Sequence, residues 1–136
     1  MSGTTATPGT GGGNGGVAVD ETDRLIASDK VEGTAVYDRH GNRLGSVYTL
    51  MIDKFSGQVA YAVMSFGGFL GIGERYHPLP WRMLTYDTGR GGYVVDVGRE
   101  QLESAPTYAR DETPWSRPDY GRDVYGHYGL PYGSGV

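Results

Sequence analysis

The sequence contains no cysteine, which excludes disulfide bonds and thiolate metal sites. It also lacks any apolar run that approaches the roughly 20 residues needed for a membrane-spanning helix. The first residues have neither a basic start nor an apolar run, so they do not read as a secretory signal. From these absences we expect a soluble, cytoplasmic protein that does not insert directly into a membrane.

An excess of basic charge is missing as well. The chain of 136 residues has a formal net charge of −4, and residues 24–105 carry nine acidic and nine basic side chains. Proteins that bind nucleic acid usually present a basic face, because the phosphate backbone supplies much of the binding energy. We therefore expect no direct contact with nucleic acid.

Composition divides the chain into three segments. Residues 1–23 are acidic and rich in glycine, and they have too few apolar side chains to offset the chain entropy lost on folding, so we predict that they are disordered. Residues 24–106 carry the patterns of one folded domain. Residues 107–136 are rich in Tyr, Gly and Pro and include Trp115. We predict that this flexible tail docks on the domain or on a partner chain.

Six short runs rich in Val, Tyr, Ile and Phe are separated by Gly, Asn and Ser. They predict strands at residues 34–38, 43–53, 58–66, 76–81, 83–87 and 93–97. Both alternating faces of 58–66 are apolar, so this strand should be central and covered on both sides. Two prolines confine 76–81 to a sheet edge or an irregular strand. A helix of barely two turns is predicted at 98–106, and the whole pattern predicts a small all-β barrel or sandwich.

The stretch SFGGFLGIGERYHPLPW, residues 65–81, is a candidate phosphate-binding loop because of its glycines. Gly68 and Gly73 have the spacing of a P-loop, but Glu74 and Arg75 stand where the lysine and the hydroxyl are required. The following prolines also forbid the helix whose N-terminus would hold a phosphate. We predict a tight connection between strands, with no nucleotide or other cofactor.

Apolar side chains stand between those glycines, at Phe69, Leu70 and Ile72. They either fold back to plug one end of a barrel or contact a partner. In the tail, Tyr120, Val124 and Tyr128 are spaced four residues apart, so a short helix would present them as one stripe. Glycines within this stretch weaken such a helix.

The motifs between residues 25 and 107 resemble those of the PRC-barrel domain, a family named after the cytoplasmic domain of the photosynthetic reaction centre H subunit. The resemblance rests on the Asp38–Gly41 turn, Leu44-Gly45, LMID at 50–53, Ser56-Gly57, Tyr61 and the GGFLGIGE loop. The C-terminal YGRDVYGHYG also resembles the tails of bacterial single-domain members. Relatives often carry acids near LMID, whereas this chain has Ser46, Tyr48 and Thr49. The resemblance implies a small β-barrel of about six strands, with a short C-terminal helical turn, that is used for protein contacts.

An enzyme is not expected. The three histidines, His40, His77 and His127, have no metal-ligand spacing, so no metal site and no catalytic residue is predicted. Asp38 and Asp53 each begin a turn, where a carboxylate oxygen accepts backbone N–H bonds. The remaining enzymatic alternative is a small-barrel hydrolase that uses Asp53 with His77.

The function predicted from the sequence is a non-enzymatic interaction or assembly module that forms a homodimer and binds a protein of unknown identity. An adaptor associated with ribosomes or RNA processing is the alternative, since a related barrel belongs to a ribosome maturation factor. The candidate interaction surface comprises Phe69, Leu70, Ile72, Tyr120, Val124 and Tyr128.

Overall fold

The computed structural model describes residues 24–66 and 74–132. The predicted disorder of residues 1–23 and the predicted role of Phe69, Leu70 and Ile72 fall outside these ranges. The chain divides into two units between Val31 and Glu32. The described part of the first unit contains the short helix α1 (Ser28–Val31), and the second unit contains all the strands described below.

Six strands form one sheet in the order β4-β3-β2-β1-β6-β5. Neighbouring strands are antiparallel except β1 and β6, which are parallel. The architecture confirms the predicted small all-β fold, and each of the six strands overlaps its predicted range. The elements are β1 (Ala35–Tyr37), β2 (Arg43–Ile52), β3 (Val59–Phe66), β4 (Arg75–Pro80), β5 (Leu84–Asp87), β6 (Gly92–Val95), α2 (Arg99–Glu103) and α3 (Tyr120–His127).

Two aspartates shape the first two hairpin turns. Asp38 Oδ1 accepts the backbone N–H groups of His40 and Asn42, at 2.8 and 2.9 Å. Asp53 Oδ1 accepts those of Phe55 and Ser56, at 2.9 and 2.8 Å. The side-chain amide of Asn42 lowers the pKa of Asp38 most, and the Ser56 amide does so for Asp53, because each bond favours the charged carboxylate. The predicted structural role of both residues is confirmed.

β3 is paired on both sides and buried on both faces. Tyr61 and Val63 lie on one face, Ala62 and Met64 lie on the other, and all four side chains are buried. β2 and β4 flank the strand. This arrangement confirms the central strand that the doubly apolar pattern predicts.

β4 forms one edge of the sheet, as its prolines predict. The backbone of Tyr76 exchanges two hydrogen bonds with Tyr108 on the side away from β3, at 2.9 and 3.1 Å. Backbone groups alternate in direction along a strand, so Pro78 and Pro80 direct their nitrogens to this same outer side. No ladder bond to β3 is lost there, which explains how two prolines fit within a strand of six residues.

The tail forms helix α3 despite its glycines. Gly129 has φ of +70° and ends the helix, because a glycine adopts this left-handed conformation without steric cost. Its N–H bonds to Gly126 O at 3.1 Å, and the N–H of Leu130 bonds to Tyr125 O at 2.9 Å. These two bonds form a Schellman motif, so Gly129 specifies the end of α3.

Candidate interaction surfaces

The stripe predicted on the tail helix faces its own barrel. Tyr120 and Val124 are buried, with 2% and 0% exposure, and Tyr128 is partly buried. They pack in one apolar cluster with Tyr61 and Val63 of β3. Docking on the chain's own domain is thus the arrangement that the structure contains. The proposed use of these three tail residues in contacts with another chain stays a prediction.

Trp115 joins the tail to the sheet. Its ring centroid lies 5.2 Å from that of Tyr61, 5.9 Å from that of Tyr108 and 5.3 Å from that of Tyr120. Tilted and edge-to-face arrangements at these distances are favourable for aromatic pairs. The sequence shows that this tail is aromatic, but only the structure shows that its rings converge on β3.

Gly121 permits the close approach of α3 to β3. A Cβ atom added there would lie 2.7 Å from Tyr61 Oη and 2.9 Å from Tyr132 Oη. Gly126, on the same helix, has no atom within 4 Å of the corresponding position. The glycine that lowers helix propensity at position 121 therefore leaves room for the rings of Tyr61 and Tyr132.

Tyr61, Tyr120 and Tyr128 in this cluster stay neutral near physiological pH. Burial raises the pKa of Tyr120 to about 12 and also raises the pKa of Tyr61 and Tyr128. Within the described part of the chain, the buried hydroxyls of Tyr120 and Tyr128 have no hydrogen-bond partner. The cluster is a packing unit whose ionisable groups are unsuited to accepting or donating protons at neutral pH.

Asp53 and His77 are not brought together. His77 is opposite Met64 in the β3–β4 register, whereas Asp53 follows Ile52, which is opposite Val59. Those two β3 positions are five residues apart, or about 16 Å at the rise of a strand. His77 is buried, and this burial lowers its pKa to about 4. The pair therefore has no geometry for concerted acid–base chemistry.

The turn between β2 and β3 displays an exposed aromatic side chain. Phe55 is 100% exposed, and Ile52 at the end of β2 is 48% exposed. The carboxylate of Asp53 fixes the backbone at Phe55 and Ser56 through the two bonds described above. The sequence indicates that Asp53 is a turn residue, whereas Phe55 has no comparable signal apart from its place between the polar residues Lys54 and Ser56, which is typical of a loop tip.

A second surface is a cleft of about 690 Å³, here called the β5–β6 cleft. Thr85 and Val94, which are cross-strand partners, both line it. Arg39 forms an ion pair with Asp96 across 3.1 Å, with both side chains largely exposed. The sequence analysis did not predict this site, because its residues come from four separate parts of the chain. Its lining residues are Arg39, Arg82, Met83, Thr85, Val94, Asp96, Val97, Tyr128, Leu130 and Pro131.

A search of residues 24–66 and 74–132 finds no group of three or more His, Asp or Glu side chains placed to hold a metal ion. No helix in these ranges is long and apolar enough to cross a membrane.

Comparison with known proteins identifies one family. The family model described as the PRC-barrel domain matches residues 23–102, which is more than half of the chain. The matched range contains all six strands and most of α2. No curated protein matches the sequence.

Proposed function

Because this chain belongs to the PRC-barrel domain family, we propose that it is a non-enzymatic protein-interaction module that binds its partner through the β2–β3 turn. A family of this kind suggests protein contacts in general, and the surface used by this chain has to come from its own residues. The observation that carries the proposal is the fully exposed ring of Phe55 on a turn with a fixed backbone.

Phe55 has the properties of an interface anchor. Aromatic residues are enriched among the few side chains that dominate binding energy, because one ring buries a large apolar area when it enters a partner's pocket. The Asp53 turn holds the ring's backbone in place before binding, so little conformational entropy is lost. Ile52 extends the apolar surface at the same end of the hairpin.

Self-association is part of this proposal. In a homodimer, a symmetric interface would use the same patch on both copies, so the exposed ring of each copy would be covered by the other copy. The loop residues Phe69, Leu70 and Ile72 remain candidate contributors on the basis of their apolar character alone. Light scattering on the full-length protein over a range of concentrations measures whether a second copy is the first partner.

The test compares three forms of the full chain as bait in native lysate. Phe55→Ser removes the ring, Lys54→Ser changes the neighbouring exposed side chain, and the unaltered chain is the reference. We expect one protein, or the chain itself, to be captured in stoichiometric amount by the reference and Lys54→Ser forms. Capture by Phe55→Ser should fall by about tenfold, as for loss of an interface anchor. Circular dichroism should show equal folding of all three.

Equal capture by all three forms would overturn the role of the β2–β3 turn. Ribosomal proteins in the captured set would instead favour the ribosome-associated adaptor. Phe55→Tyr supplies a further control, because it keeps the ring and should retain most of the binding.

A further inference from the structure

The starting observation is that β5 has a neighbour on one side only. β5 is the last strand of the sheet and pairs with β6, and no described residue pairs with its other side. Leu84 donates its N–H to Trp81 O instead of to β6. Since backbone groups alternate, Tyr86 directs its N–H and C=O away from β6 as well. Tyr86 is 41% exposed and the neighbouring Thr85 is exposed, so residues on both faces of β5 reach solvent.

The β5–β6 cleft adjoins this open edge. Arg82 and Met83 immediately precede β5, Thr85 lies within it, and all three line the cleft. Side chains of a strand added to β5 would alternate between the two faces of the sheet. Every second one would therefore lie on the same face as Thr85 and Val94, beside the cleft. The edge and the cleft are therefore continuous parts of one surface.

The charges of the cleft favour a carboxylate. Arg39 is already paired with Asp96, whereas Arg82 forms no ion pair within residues 24–66 and 74–132. The lining therefore has two positive and one negative side chains, in a protein whose formal net charge is −4. A guanidinium can bind a carboxylate through two parallel hydrogen bonds, so Arg82 is suited to an acidic side chain. Apolar side chains at Met83 and Leu130 provide contacts for the neighbouring part of a ligand.

We propose that the β5 edge and the β5–β6 cleft bind an extended peptide segment of a partner protein, which pairs with β5 and places an acidic side chain against Arg82. Strand addition of this kind obtains affinity from backbone bonds and specificity from the alternate side chains. The proposal rests on the proposed function in one respect, that the ligand is a protein segment, but it uses a surface separate from Phe55.

A second copy of β5 is a poorer occupant than such a segment. The nearest acid on β5 is Asp87, which forms an ion pair with Arg90 Nε across 3.4 Å and accepts the backbone N–H of Arg90 at 3.2 Å. In a β5–β5 pairing this carboxylate would have to leave those partners to reach Arg82. A peptide that carries its own unpaired acid has no such competition.

The test uses a synthetic acetylated and amidated peptide, Thr-Val-Glu-Val-Thr, in NMR titrations of the full-length protein. We expect saturable shifts at the Tyr86 amide and slower hydrogen exchange there. A peptide with Gln in place of Glu should bind about threefold more weakly, as for loss of a partly exposed ion pair. Arg82→Gln should make the two peptides equal, whereas Arg122→Gln, outside the cleft, should leave their difference unchanged.

Backbone pairing is tested on the ligand, which leaves the protein's folding unaffected. Two peptides carry N-methyl groups on alternate residues, so that one blocks each edge of the added strand. Only one of them should lose binding. Equal loss or equal retention by both, or no shift at Tyr86, overturns the proposal. Displacement of the peptide by inorganic phosphate or acetate at equal concentration would reduce the surface to an anion site and also overturn it.

Two further results separate this inference from the proposed function. If Tyr86 shifts follow protein concentration without peptide, β5 pairs with a second copy and the peptide proposal is wrong. If no peptide binds while Phe55→Ser still loses its captured partner, the inference fails alone. If peptide binds at Tyr86 while Phe55→Ser has no effect on capture, the proposed use of the β2–β3 turn fails alone.

Discussion

The edge formed by β4 and the edge formed by β5 end the same sheet in different ways. At β4, Pro78 and Pro80 remove two outward donors, and Tyr108 occupies the backbone groups of Tyr76. At β5, the outward groups of Tyr86 have no such cover among the described residues. Exposed edges can pair with other chains, and prolines and covering segments prevent this. The tail therefore covers the β4 edge, whereas no described residue pairs with the outer side of β5.

The face beside each edge differs in the same way. The outer face of β3 and β4 is covered by α3 and Trp115. The corresponding face of β5 and β6 carries Thr85 and Val94 in an open cleft. Substitutions on the covered side should therefore affect folding, and substitutions on the open side should chiefly affect binding. The predictions that follow test this division, beginning with the largest effect.

Truncation after Pro106 should have the largest effect on stability. It removes the buried side chains of Tyr108, Tyr120, Val124 and Tyr125 from the cluster on β3. At about 1.5–3 kcal/mol for each large buried side chain, the loss is about 6–12 kcal/mol, which is comparable to the whole stability of many domains. We expect no cooperative thermal transition by circular dichroism.

A synthetic peptide of residues 107–132, added to the truncated chain, should restore part of that transition. An unchanged thermal midpoint after truncation would show that the tail is dispensable and that the face of β3 and β4 beneath α3 is stable without it.

Val63→Asp should be the most damaging single substitution on the covered side. Val63 is 0% exposed, and an unpaired carboxylate there costs about 3–5 kcal/mol. Thr85→Asp, on the exposed part of β5, should cost less than about 1 kcal/mol. Urea denaturation followed by circular dichroism measures both free energies of unfolding.

Similar decreases in the free energy of unfolding for Val63→Asp and Thr85→Asp would contradict the division into a covered and an open side. A cooperatively folded Val63→Asp protein of near-normal stability would further mean that β3 is not buried on both faces.

His77 should make stability depend on pH. Its pKa is lowered from 6.5 to about 4, chiefly by burial, so the folded state binds this proton less well than the unfolded state. The free energy of unfolding therefore does not depend on the titration of His77 above pH 6.5. It decreases as the pH falls from about 6.5 to about 4, by a total of about 3 kcal/mol, because the unfolded state binds the proton more tightly. Denaturant midpoints measured from pH 8 to pH 4 should show this decline.

His77→Gln should flatten the curve between pH 6.5 and 4. Below about pH 4, further loss is expected as Asp38 and Asp53 protonate, because their lowered pKa values favour the folded state only while they are charged. If stability still declines between pH 6.5 and pH 4 in His77→Gln, a group other than His77 causes that decline.

Gly121→Ala and Gly126→Ala should change stability in opposite directions. The new methyl at position 121 meets Tyr61 Oη at 2.7 Å, so either α3 or the tyrosine rings must shift, at a cost of about 1–3 kcal/mol. At position 126 it meets no atom within 4 Å, so the higher helix propensity of alanine should add about 0.5–1 kcal/mol. Thermal midpoints of the two variants decide the matter; equal shifts would mean that α3 does not dock tightly at position 121.

Much of the sheet could be predicted because its signals are local. Asp53 fixes a turn through amides two and three residues away, and Pro78 marks an edge because it lacks a donor. The alternating apolar residues of β3 determine that both its faces are buried. The parallel pairing of β1 with β6 carries no such signal, since it joins residues more than 50 positions apart in the chain.

The surfaces could not be predicted in the same way. The sequence indicated the apolar stripe of Tyr120, Val124 and Tyr128 but not the face that would cover it. Gly121 is unfavourable by helix propensity, which is a local property of the sequence. Its close contact with Tyr61 is a tertiary property and has no local signal. Phe55 was passed over because its exposure depends on where the whole β2–β3 hairpin projects.

By itself, the sequence determined the positions of the strands, their turns and the edge character of β4, because each depends on backbone conformation within a few residues. Only the tertiary structure decided which apolar faces meet, which histidine loses its water and which side chains line the β5–β6 cleft. Those outcomes depend on contacts between residues distant in the chain, such as Thr85 with Val94 or Tyr61 with Gly121. Burial and unpaired backbone groups exist only once the strands have assembled, and the binding surfaces proposed for this protein rest on those two properties.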